Sequence, residues 1–410
     1  MSNYVKLDDI CKISSSKRIF EEEYRASGVP FIRGMEISNK SLLNDDTKFE
    51  CYISKERYEE IKQHHHVPQV GDILITAVGT IGNLAYISKN KEFYFKDGNV
   101  ILFSDFAKNV YSKYLYYFMQ SSFFKKQLDC LMIGAVQKAL TMVMLKKVEL
   151  PLPSYDKQKS IAGILSAIDE KIEINNKINA ELENMAKTLY DYWFVQFDFP
   201  DENKRPYKSA NGKMVYNEVL KREIPLGWEV KKLKDLVDIN KVKTKPSKGK
   251  KLIDLSVMPS GTFCLDRFNE GNAFETNMFE MKQYDILFGS IRPYLMKAGF
   301  APCNGLVSGT IHSLSPKNHN NTNYLILTMT SKNFFNYAIT SSKGTKMPVI
   351  GTEDLLNYKL PYSKEIAANF ERIIQFKEII SKKIIENVEL ATLRDFLLPL
   401  LMNGQVSVQN

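Results

Sequence analysis

One stretch of the 410-residue sequence occurs twice, first as Tyr114-Leu-Tyr-Tyr-Phe-Met-Gln-Ser-Ser-Phe-Phe124 and again, 210 residues later, as Tyr324-Leu-Ile-Leu-Thr-Met-Thr-Ser-Lys-Asn-Phe334. The same offset relates Leu150-Pro151 to Leu360-Pro361. An ordered series of matches at a constant offset indicates an internal repeat, which has to be recognised before any local pattern is interpreted. The chain is therefore predicted to contain two similar halves.

Two earlier matches extend the repeat toward the start of each half, at slightly larger offsets. Gly71-Asp72-Ile-Leu corresponds to Tyr284-Asp285-Ile-Leu, and Val5-Lys-Leu-Asp-Asp-Ile corresponds to Lys231-Lys-Leu-Lys-Asp-Leu. Within the halves, short apolar runs bounded by glycine and polar residues favour strands, and longer runs with a helical period favour helices. Each half is thus predicted to be an α+β domain of about 150 residues.

A long amphipathic pattern follows each half. Its apolar residues recur at intervals of three and four, a spacing typical of one helical face. In the first pattern they are Ile161, Leu165, Ile168, Ile172, Leu182, Met185 and Leu189, and in the second they are Ile373, Ile380, Ile384, Leu393 and Leu397. About 40 helical residues would span roughly 60 Å, which is too long to bury against one small domain. The two helices are therefore predicted to pack against each other as an antiparallel coiled coil, although core helices of one large domain would show the same periodicity.

These patterns predict six segments along the chain. They are a globular half at 1–153, a helix at 154–197, a polar linker at 198–224, a second globular half at 225–362, a second helix at 363–402 and a tail at 403–410. The linker carries Asn211-Gly212, which favours a turn or a short hairpin. The predicted fold class is therefore α+β, with two similar globular domains separated by two long helices.

Charge is distributed unevenly over these segments. The net charge of +9 comes from 56 basic and 47 acidic residues. It amounts to +3 over residues 1–155 and to +7 over residues 225–363, while the two helical patterns are neutral or acidic. The excess positive charge lies in the globular halves, chiefly the second, and this permits a polyanionic partner.

The sequence also indicates a cellular compartment. Its five cysteines are scattered without the spacing of a disulfide framework or a zinc site. No window approaches the roughly 20 apolar residues that a membrane span needs, and the first residues lack the pattern of a signal peptide. These observations predict a cytoplasmic protein that does not contact a membrane.

Catalytic, cofactor and metal motifs are absent from the sequence. There is no GxxxxGK[ST] phosphate loop and no GxGxxG fingerprint, since Gly79-Thr-Ile-Gly82 holds only two glycines. Pro200-Asp-Glu-Asn-Lys204 contains the letters of a nuclease signature, but they are fused, whereas a metal site needs carboxylates from separate positions. The run His64–His66 has no second ligand cluster and is predicted to be an exposed loop rather than a metal tract. A binding protein without its own cofactor is therefore predicted.

Basic and polar residues cluster in loops at matching places in the two halves. The densest run, Lys241–Lys251, contains proline and glycine, which favours an exposed loop whose lysines neutralise phosphates; a merely solvated loop is the alternative. Its counterpart is Ser14–Arg18. Arg292-Pro-Tyr294 follows a predicted strand, as Gly79–Asn83 does, and its arginine could read a guanine edge with a two-donor fork or equally bridge a carboxylate. The candidate DNA-contacting residues are Lys17, Arg18, Arg33, Asn83, Gln137, Lys138, Lys243, Lys245, Lys248, Lys250, Arg292, Tyr294, Lys343 and Lys346.

The helical and linker segments resemble a known family. Residues 154–200, which end in Tyr192-Trp-Phe-Val-Gln-Phe-Asp-Phe-Pro200, closely resemble the central region of type I restriction-modification specificity subunits. So do residues 213–218, the stretch Glu223-Ile-Pro-Leu-Gly-Trp228 and the ending 393–405. The resemblance covers essentially the whole chain, including its order of domain, helix, domain and helix, and it is weakest inside the globular halves.

This resemblance implies a DNA-binding subunit with no catalytic residues of its own. Each globular half would be a target recognition domain that reads one part of a split site in double-stranded DNA, and the helices would act as a spacer. The apolar helical residues named above would form the surface on which two methyltransferase subunits dock, and endonuclease and translocase subunits would join the complex. S-adenosylmethionine, ATP and magnesium would then belong to these partners.

Two other functions stay open on the residues alone. One is a self-sufficient DNA-modifying enzyme whose catalytic motif is unrecognised. The other is a coiled-coil adaptor that does not bind DNA. Methyl transfer by the isolated chain would favour the first, and an absent or salt-independent DNA interaction would favour the second.

Overall fold

The structure, a computed structural model, describes residues 4–38, 49–132, 139–273 and 277–406. The chain divides into two compact units. Unit 1 comprises residues 1–169 and 392–410, and unit 2 comprises residues 170–391. The division passes through both long helices, whereas the sequence predicted helices that are separate from the globular domains.

Unit 1 is built from short strands and helices. In chain order they are β1 (Tyr4–Lys6), α1 (Leu7–Ile10), β2 (Lys12–Ser14), β3 (Val29–Ile32), α2 (Gly34–Ser38), β4 (Tyr52–Ile53), α3 (Lys55–His64), β5 (Ile73–Thr76), β6 (Leu84–Tyr86), β7 (Tyr94–Phe95), β8 (Val100–Ser104), α4 (Ser112–Gln120), α5 (Ser122–Met132), α6 (Met142–Lys146), β9 (Glu149–Pro151) and the first part of α7 (Tyr155–Tyr190). An antiparallel four-stranded sheet has the order β2-β8-β5-β6, beside a three-stranded sheet β4-β3-β7 and the pair β1-β9.

Unit 2 contains the rest of α7 and the elements that follow it. They are a π-helical turn (Asp191–Val195), β10 (Met214–Asn217), β11 (Arg222–Pro225), β12 (Glu229–Lys232), α8 (Leu233–Leu236), β13 (Val237–Ile239), β14 (Lys243–Thr244), β15 (Lys251–Ile253), β16 (Asn269–Glu270), β17 (Met278–Met281), β18 (Ile286–Gly289), β19 (Ala298–Phe300), β20 (Gly305–Ser308), β21 (Ile311–Pro316), α9 (Thr322–Met329), α10 (Lys332–Thr340), α11 (Thr352–Leu356), β22 (Lys359–Tyr362), α12 (Lys364–Ile373) and α13 (Phe376–Met402). The last residues of α13, from 392 onward, belong to unit 1.

The sheets of unit 2 repeat those of unit 1. Its antiparallel four-stranded sheet has the order β13-β21-β18-β19, which matches β2-β8-β5-β6 strand for strand. The pair β12-β22 likewise matches β1-β9, whereas the second sheet has five strands (β14-β17-β20-β15-β16) in unit 2 and three in unit 1. The predicted linker contributes the hairpin β10-β11. The predicted α+β architecture of two similar domains is therefore confirmed.

The repeated sequence motif has the same structural task in both units. The hydroxyl of Tyr114, in the first turn of α4, donates a hydrogen bond to the carbonyl of Pro151 at 3.0 Å. The hydroxyl of Tyr324 in α9 likewise donates to the carbonyl of Pro361. Both tyrosines are almost fully buried, where an unpaired hydroxyl would cost about 1–3 kcal/mol. The bond ties a helix to the last strand of each repeat, which explains why these positions recur at one offset.

The paired Asp-Ile-Leu segments also have equivalent roles. Asp72 and Asp285 are both buried just before a central strand. Each carboxylate accepts a hydrogen bond at 2.9 Å from the backbone amide three residues earlier, in Gln69 and Lys282 respectively. The side chain therefore closes the turn that introduces the strand, which is a local reason for an aspartate at both places.

The two helical regions run antiparallel within unit 2. Early in this unit, Asn175 of α7 contacts Asn387 of α13, with Nδ2 and Oδ1 2.8 Å apart. Just past the end of α7, Trp193 packs on Phe370 of α12 with ring centroids 5.3 Å apart. From the first contact to the second, the residue number rises from 175 to 193 in the first region and falls from 387 to 370 in the second. The two regions therefore run in opposite directions. The predicted pairing of the helices is therefore confirmed.

The second helical region consists of α12 and α13 rather than the single helix predicted for 363–402. The break falls at Ile374 and Gln375, where Ile374 has an extended backbone. Nδ2 of Asn323, from α9, donates to the carbonyl of Ile374 at 2.5 Å, and the backbone amide of Asn323 donates to Glu371 at 2.7 Å. The side chain of Asn323 thus bonds to the carbonyl of Ile374, which in a continuous helix would accept a backbone hydrogen bond.

A polar layer lies inside the helix pair of unit 2. Asn175 is fully buried, and besides its bond to Asn387 its Nδ2 donates to Oε2 of Glu386 at 3.0 Å. Nδ2 of Asn387 in turn donates to Oδ1 of Asn176 at 2.8 Å. Buried asparagines fix the alignment of paired helices, because another register would leave them without partners. The layer therefore specifies the register of α7 against α13.

We expect Asn175→Ala to lower the free energy of unfolding by about 1–3 kcal/mol, because it removes the donor to buried Oδ1 of Asn387. The double variant Asn175→Ala/Asn387→Ala should lose less than the sum of the two single variants, since the side chains interact directly. Urea denaturation measures all three changes. Asn184→Ala, on the exposed surface of α7, is the control and should change the free energy by less than about 0.5 kcal/mol. Strict additivity would show that the two asparagines do not act together.

Candidate DNA interface

In unit 2, basic and polar segments leave one end of the four-stranded sheet. Both β13 and β18 run antiparallel to β21, so their C-terminal ends lie at the same end of the sheet. Strand β13 leads into the basic run, and β18 leads into the loop that contains Arg292. We call the segments 240–250, 290–296 and 343–349 the unit 2 tip.

Backbone contacts join the loops of the unit 2 tip. The amide of Arg292 donates to the carbonyl of Pro348 at 2.7 Å, and the amide of Ile350 donates to Ser290 at 3.0 Å. Val349 forms isolated β-bridges with both Ile291 and Lys343. The two predicted polar loops of the second half thus lie side by side. They bring together four exposed candidate residues: Arg292, Tyr294, Lys343 and Lys346.

Arg292 is held in a restricted backbone conformation. Arg292 and Met296 have left-handed φ values of 50° and 52°, which cost a non-glycine residue on the order of 1–3 kcal/mol each. The 3-10 turn Pro293–Leu295 lies between them, and Pro293 is buried. Among the described residues, no ion pair joins the guanidinium of Arg292 to a carboxylate. Its two-donor fork is therefore available for a base edge.

The lysines of the unit 2 tip carry charge that the protein compensates only weakly. Lys343 lies 3.4 Å from Asp354, but its side chain is 85% exposed, so this surface pair contributes little. Within the basic run, Lys243 and Thr244 form β14 at the edge of the five-stranded sheet and Lys251 begins β15, whereas the sequence predicted a loop throughout. All four of its candidate residues are exposed: Lys243, Lys245, Lys248 and Lys250. Exposed ammonium groups in this arrangement suit contact with phosphates.

A histidine beneath the unit 2 tip adds no charge to it. His312 lies at the start of β21, and its Nε2 is 3.0 Å from the carbonyl oxygen of Ile350. Burial lowers the pKa of His312, and the charge of Lys241 lowers it further. The imidazole is therefore neutral near pH 7, where it supports the loop that ends at Ile350.

Unit 1 has the same arrangement at the end of its own four-stranded sheet. Both β2 and β5 run antiparallel to β8, so the segments that follow them leave one end of the sheet; we call 15–18 and 77–83 the unit 1 tip. The amide of Leu140 donates to Ala77 at 2.8 Å, which corresponds to the bond between Ile350 and Ser290. Lys17 and Arg18 are exposed in this tip. The candidates Gln137 and Lys138 lie outside the described residues.

Two candidates of unit 1, Asn83 in the tip and Arg33 just after β3, have partners within the protein. Nδ2 of Asn83 donates to Oγ of Ser38 at 2.8 Å. Arg33 pairs with Glu50 and lies 3.7 Å from Glu36, and the hydrogen bond to Glu50 is the main reason why the pKa of Arg33 is raised. DNA would have to displace these contacts before either side chain could bind it, so both have a structural role that the sequence did not reveal.

The structure groups no metal ligands where the sequence had suggested possible ones. His64 ends α3, and Nε2 of His66 lies 2.8 Å from Oδ2 of Asp72, so the run is not simply the exposed loop that was predicted. In the segment 200–204, which contains the residues of a nuclease signature, Asp201 accepts hydrogen bonds from the amide and guanidinium of Arg205. Across the described ranges, no three potential ligands gather into a metal site. Nor does any helix in those ranges have the length and apolarity to cross a membrane.

The predicted docking residues on the long helices fall into three groups. Five are buried, namely Ile161, Leu165, Ile168, Ile380 and Ile384. Of these, Ile161 and Leu165 belong to the core of unit 1, and Ile380 and Ile384 belong to the core of unit 2. Three are exposed, namely Met185, Ile373 and Leu393, and four are intermediate, namely Ile172, Leu182, Leu189 and Leu397. The buried five are not free for a partner, because their side chains pack within this chain. Exposed apolar residues that the prediction missed include Ile174, Ile178 and Phe396.

Comparison with known proteins gives three concordant findings. The family model of the type I restriction modification DNA specificity domain matches residues 2–184 and again 225–390. The MjaIX specificity subunit of a type I restriction enzyme from Methanocaldococcus jannaschii is 27% identical over 421 residues, covering 98% of this chain and 93% of the relative. The HindI specificity subunit of Haemophilus influenzae is 24% identical over 327 residues, covering 65% of this chain and 71% of the relative.

A solved structure shares the fold. The crystal structure of the type I restriction-modification system S subunit from M. genitalium superposes with a TM-score of 0.56 at 14% sequence identity, over 98% of this chain and 96% of that chain. The family model matches both halves of the repeat, the near full-length relative is a specificity subunit, and the fold agrees. The chain therefore belongs to the family of type I restriction modification DNA specificity domains, as a non-catalytic specificity subunit that recognises a DNA target.

Proposed function

We propose that this subunit reads a site in double-stranded DNA that has two parts, and that each unit contacts one part through its tip. The observation that carries the proposal is the duplication, since both units present exposed cations on loops at the same end of equivalent sheets. A protein with two similar DNA-contacting units suits a site in two parts, because the geometry of the protein sets the spacing between the parts. The target recognition domains are residues 1–153 and 225–362, and the helical segments set the number of base pairs between the parts.

The two tips combine two kinds of contact. Lys17, Arg18 and the lysines of the basic run neutralise phosphates, which positions the protein without selecting a sequence. Arg292 donates both of its fork N–H groups to a guanine edge in the major groove, which selects a base. Its exposed guanidinium and fixed backbone support this role.

The helices supply the contact with partner subunits. Ile174, Ile178 and Met185 are exposed on α7 at spacings of four and seven residues, so they form one apolar stripe on a helix. Two methyltransferase subunits dock on exposed helical surfaces of this kind, and endonuclease and translocase subunits join the assembly. S-adenosylmethionine, ATP and magnesium are bound by those partners, and the complex acts in the cytoplasm.

One reconstitution experiment separates this function from its alternatives. The chain alone, and the chain assembled with its methyltransferase partner, are each given DNA and tritiated S-adenosylmethionine, and binding is measured at several salt concentrations. We expect methyl transfer and salt-dependent binding with the assembled complex, and no transfer with the chain alone. Transfer by the chain alone would identify a self-sufficient enzyme. Binding that is absent or independent of salt would identify an adaptor that does not contact DNA.

Replacing Lys243, Lys245 and Lys248 together with alanine should weaken binding of cognate and random DNA by the same factor. Each phosphate contact contributes about 0.9 to the slope of log affinity against log salt, so the slope should fall by up to about 3. Fluorescence anisotropy of the assembled complex over a salt series measures both quantities. The matched control is Lys208→Ala/Lys213→Ala/Lys234→Ala, which removes the same charge from exposed sites of unit 2 outside its tip. Equal effects of the two triple variants would contradict a specific role for the tip.

A further inference from the structure

The unit 2 tip exposes apolar side chains beside its cations. Tyr294, Leu295 and Met347 are 50%, 40% and 52% exposed. Leaving Leu and Met side chains in water forgoes the stabilisation that burial gives, so exposed apolar side chains grouped among polar ones mark a contact surface. The cations of the same two loops, Arg292 and Lys346, make that surface complementary to a polyanion.

The backbone holds these apolar side chains in place. The amide of Leu295 donates to the carbonyl of Arg292 at 2.8 Å and closes the 3-10 turn. The bond from Arg292 to Pro348, the residue after Met347, joins that turn to the neighbouring loop at 2.7 Å. Leu295 and Met347 are therefore carried by two loops that are fastened together at Arg292.

We propose that Leu295 and Met347 recognise the C5-methyl group of a thymine in the part of the site that unit 2 reads. This inference rests on the proposed function, in which Arg292 meets a guanine edge in the major groove. In that groove the C5-methyl of thymine is the distinctive apolar group on a base edge. Exposed apolar side chains on the two loops that are joined at Arg292 thus match a guanine that lies next to, or one step from, a thymine.

Replacing thymine with deoxyuridine tests the inference, because the substitution removes the methyl group and leaves the base pairing unchanged. The assembled complex is titrated with duplexes that carry the mapped site, with each thymine of the unit 2 part replaced in turn. We expect one replacement to weaken binding about fourfold, the effect of losing one buried methyl group. In Leu295→Ala/Met347→Ala, binding to the thymine duplex should weaken and the difference between the two duplexes should disappear. Val219→Ala, an exposed apolar site in the linker hairpin, should keep the fourfold difference.

Several results would overturn the inference and leave the proposed function intact. They are specific binding by the wild-type complex with no deoxyuridine effect, a unit 2 part without any thymine, and a deoxyuridine effect that persists in the double variant. Weakened methyltransferase assembly in the double variant, with the deoxyuridine effect retained in the complex that still forms, would assign the surface to a partner protein. A wild-type complex that prefers no DNA sequence would instead refute the proposed function itself.

Discussion

Replacing Arg292 with alanine is expected to weaken binding of the cognate site by about 1–3 kcal/mol and to make one base position of one part degenerate. The reason is that a bidentate contact to guanine supplies both affinity and discrimination, whereas a phosphate contact supplies affinity alone. Competition binding of the assembled complex against every single-base variant of the site measures both effects. Discrimination should fall at one position and stay unchanged at all others.

A conservative variant separates the base contact from charge. Arg292→Lys keeps the positive charge but lacks the planar two-donor fork, so it should restore the salt dependence of binding without restoring discrimination at that position. Thermal unfolding of both variants checks that the strained turn still folds. Full discrimination by Arg292→Ala would exclude this residue from base reading and leave it a phosphate contact at most.

Replacing Phe194 with alanine is expected to lower the free energy of unfolding of unit 2 by about 3–5 kcal/mol. Phe194 is 3% exposed in the π-helical turn, and its ring centroid lies 4.5 Å from that of Tyr324 and 5.0 Å from that of Phe370. The ring thus joins the end of α7, the repeated motif and α12 in one core. Its removal leaves a cavity among aromatic rings that cannot collapse fully.

Differential scanning calorimetry and urea denaturation measure this loss. Tyr192→Ala is the matched control, because Tyr192 lies in the same turn with its ring exposed. The control should lose less than about 1 kcal/mol. Equal losses in the two variants would show that the aromatic core does not depend on Phe194.

The internal repeat predicted the architecture because each repeated residue makes an equivalent contact inside its own repeat. Tyr114 and Tyr324 donate to prolines 37 residues later, and Asp72 and Asp285 close turns with the amide three residues earlier. Because donor and acceptor recur together at the same spacing, the bond recurs in both units. The sequence also predicted that Arg292 follows a strand, and the structure places it after β18.

What the sequence did not predict depends on contacts that no repeat or periodic pattern marks. Asn323 interrupts the second helical region from another helix, 51 positions away from Ile374. Arg33 forms an ion pair with Glu50, and the two residues flank the paired strands β3 and β4. No spacing rule predicts this pair from the sequence. Apolar periodicity showed that Leu165 and Ile380 lie on apolar faces of helices. It could not show that these side chains are buried within this chain while other apolar residues of the same helices remain exposed.

Mapping of methylated bases most directly tests whether this subunit recognises a DNA site in two parts, one for each unit. The assembled complex methylates a plasmid library of random sequence, and the modified positions are read by single-molecule sequencing. The duplicated tips predict one motif with two specified parts separated by a constant number of unspecified bases, and Arg292→Ala should relax only one of these parts. A single uninterrupted motif, or methylation without sequence preference, would contradict the account.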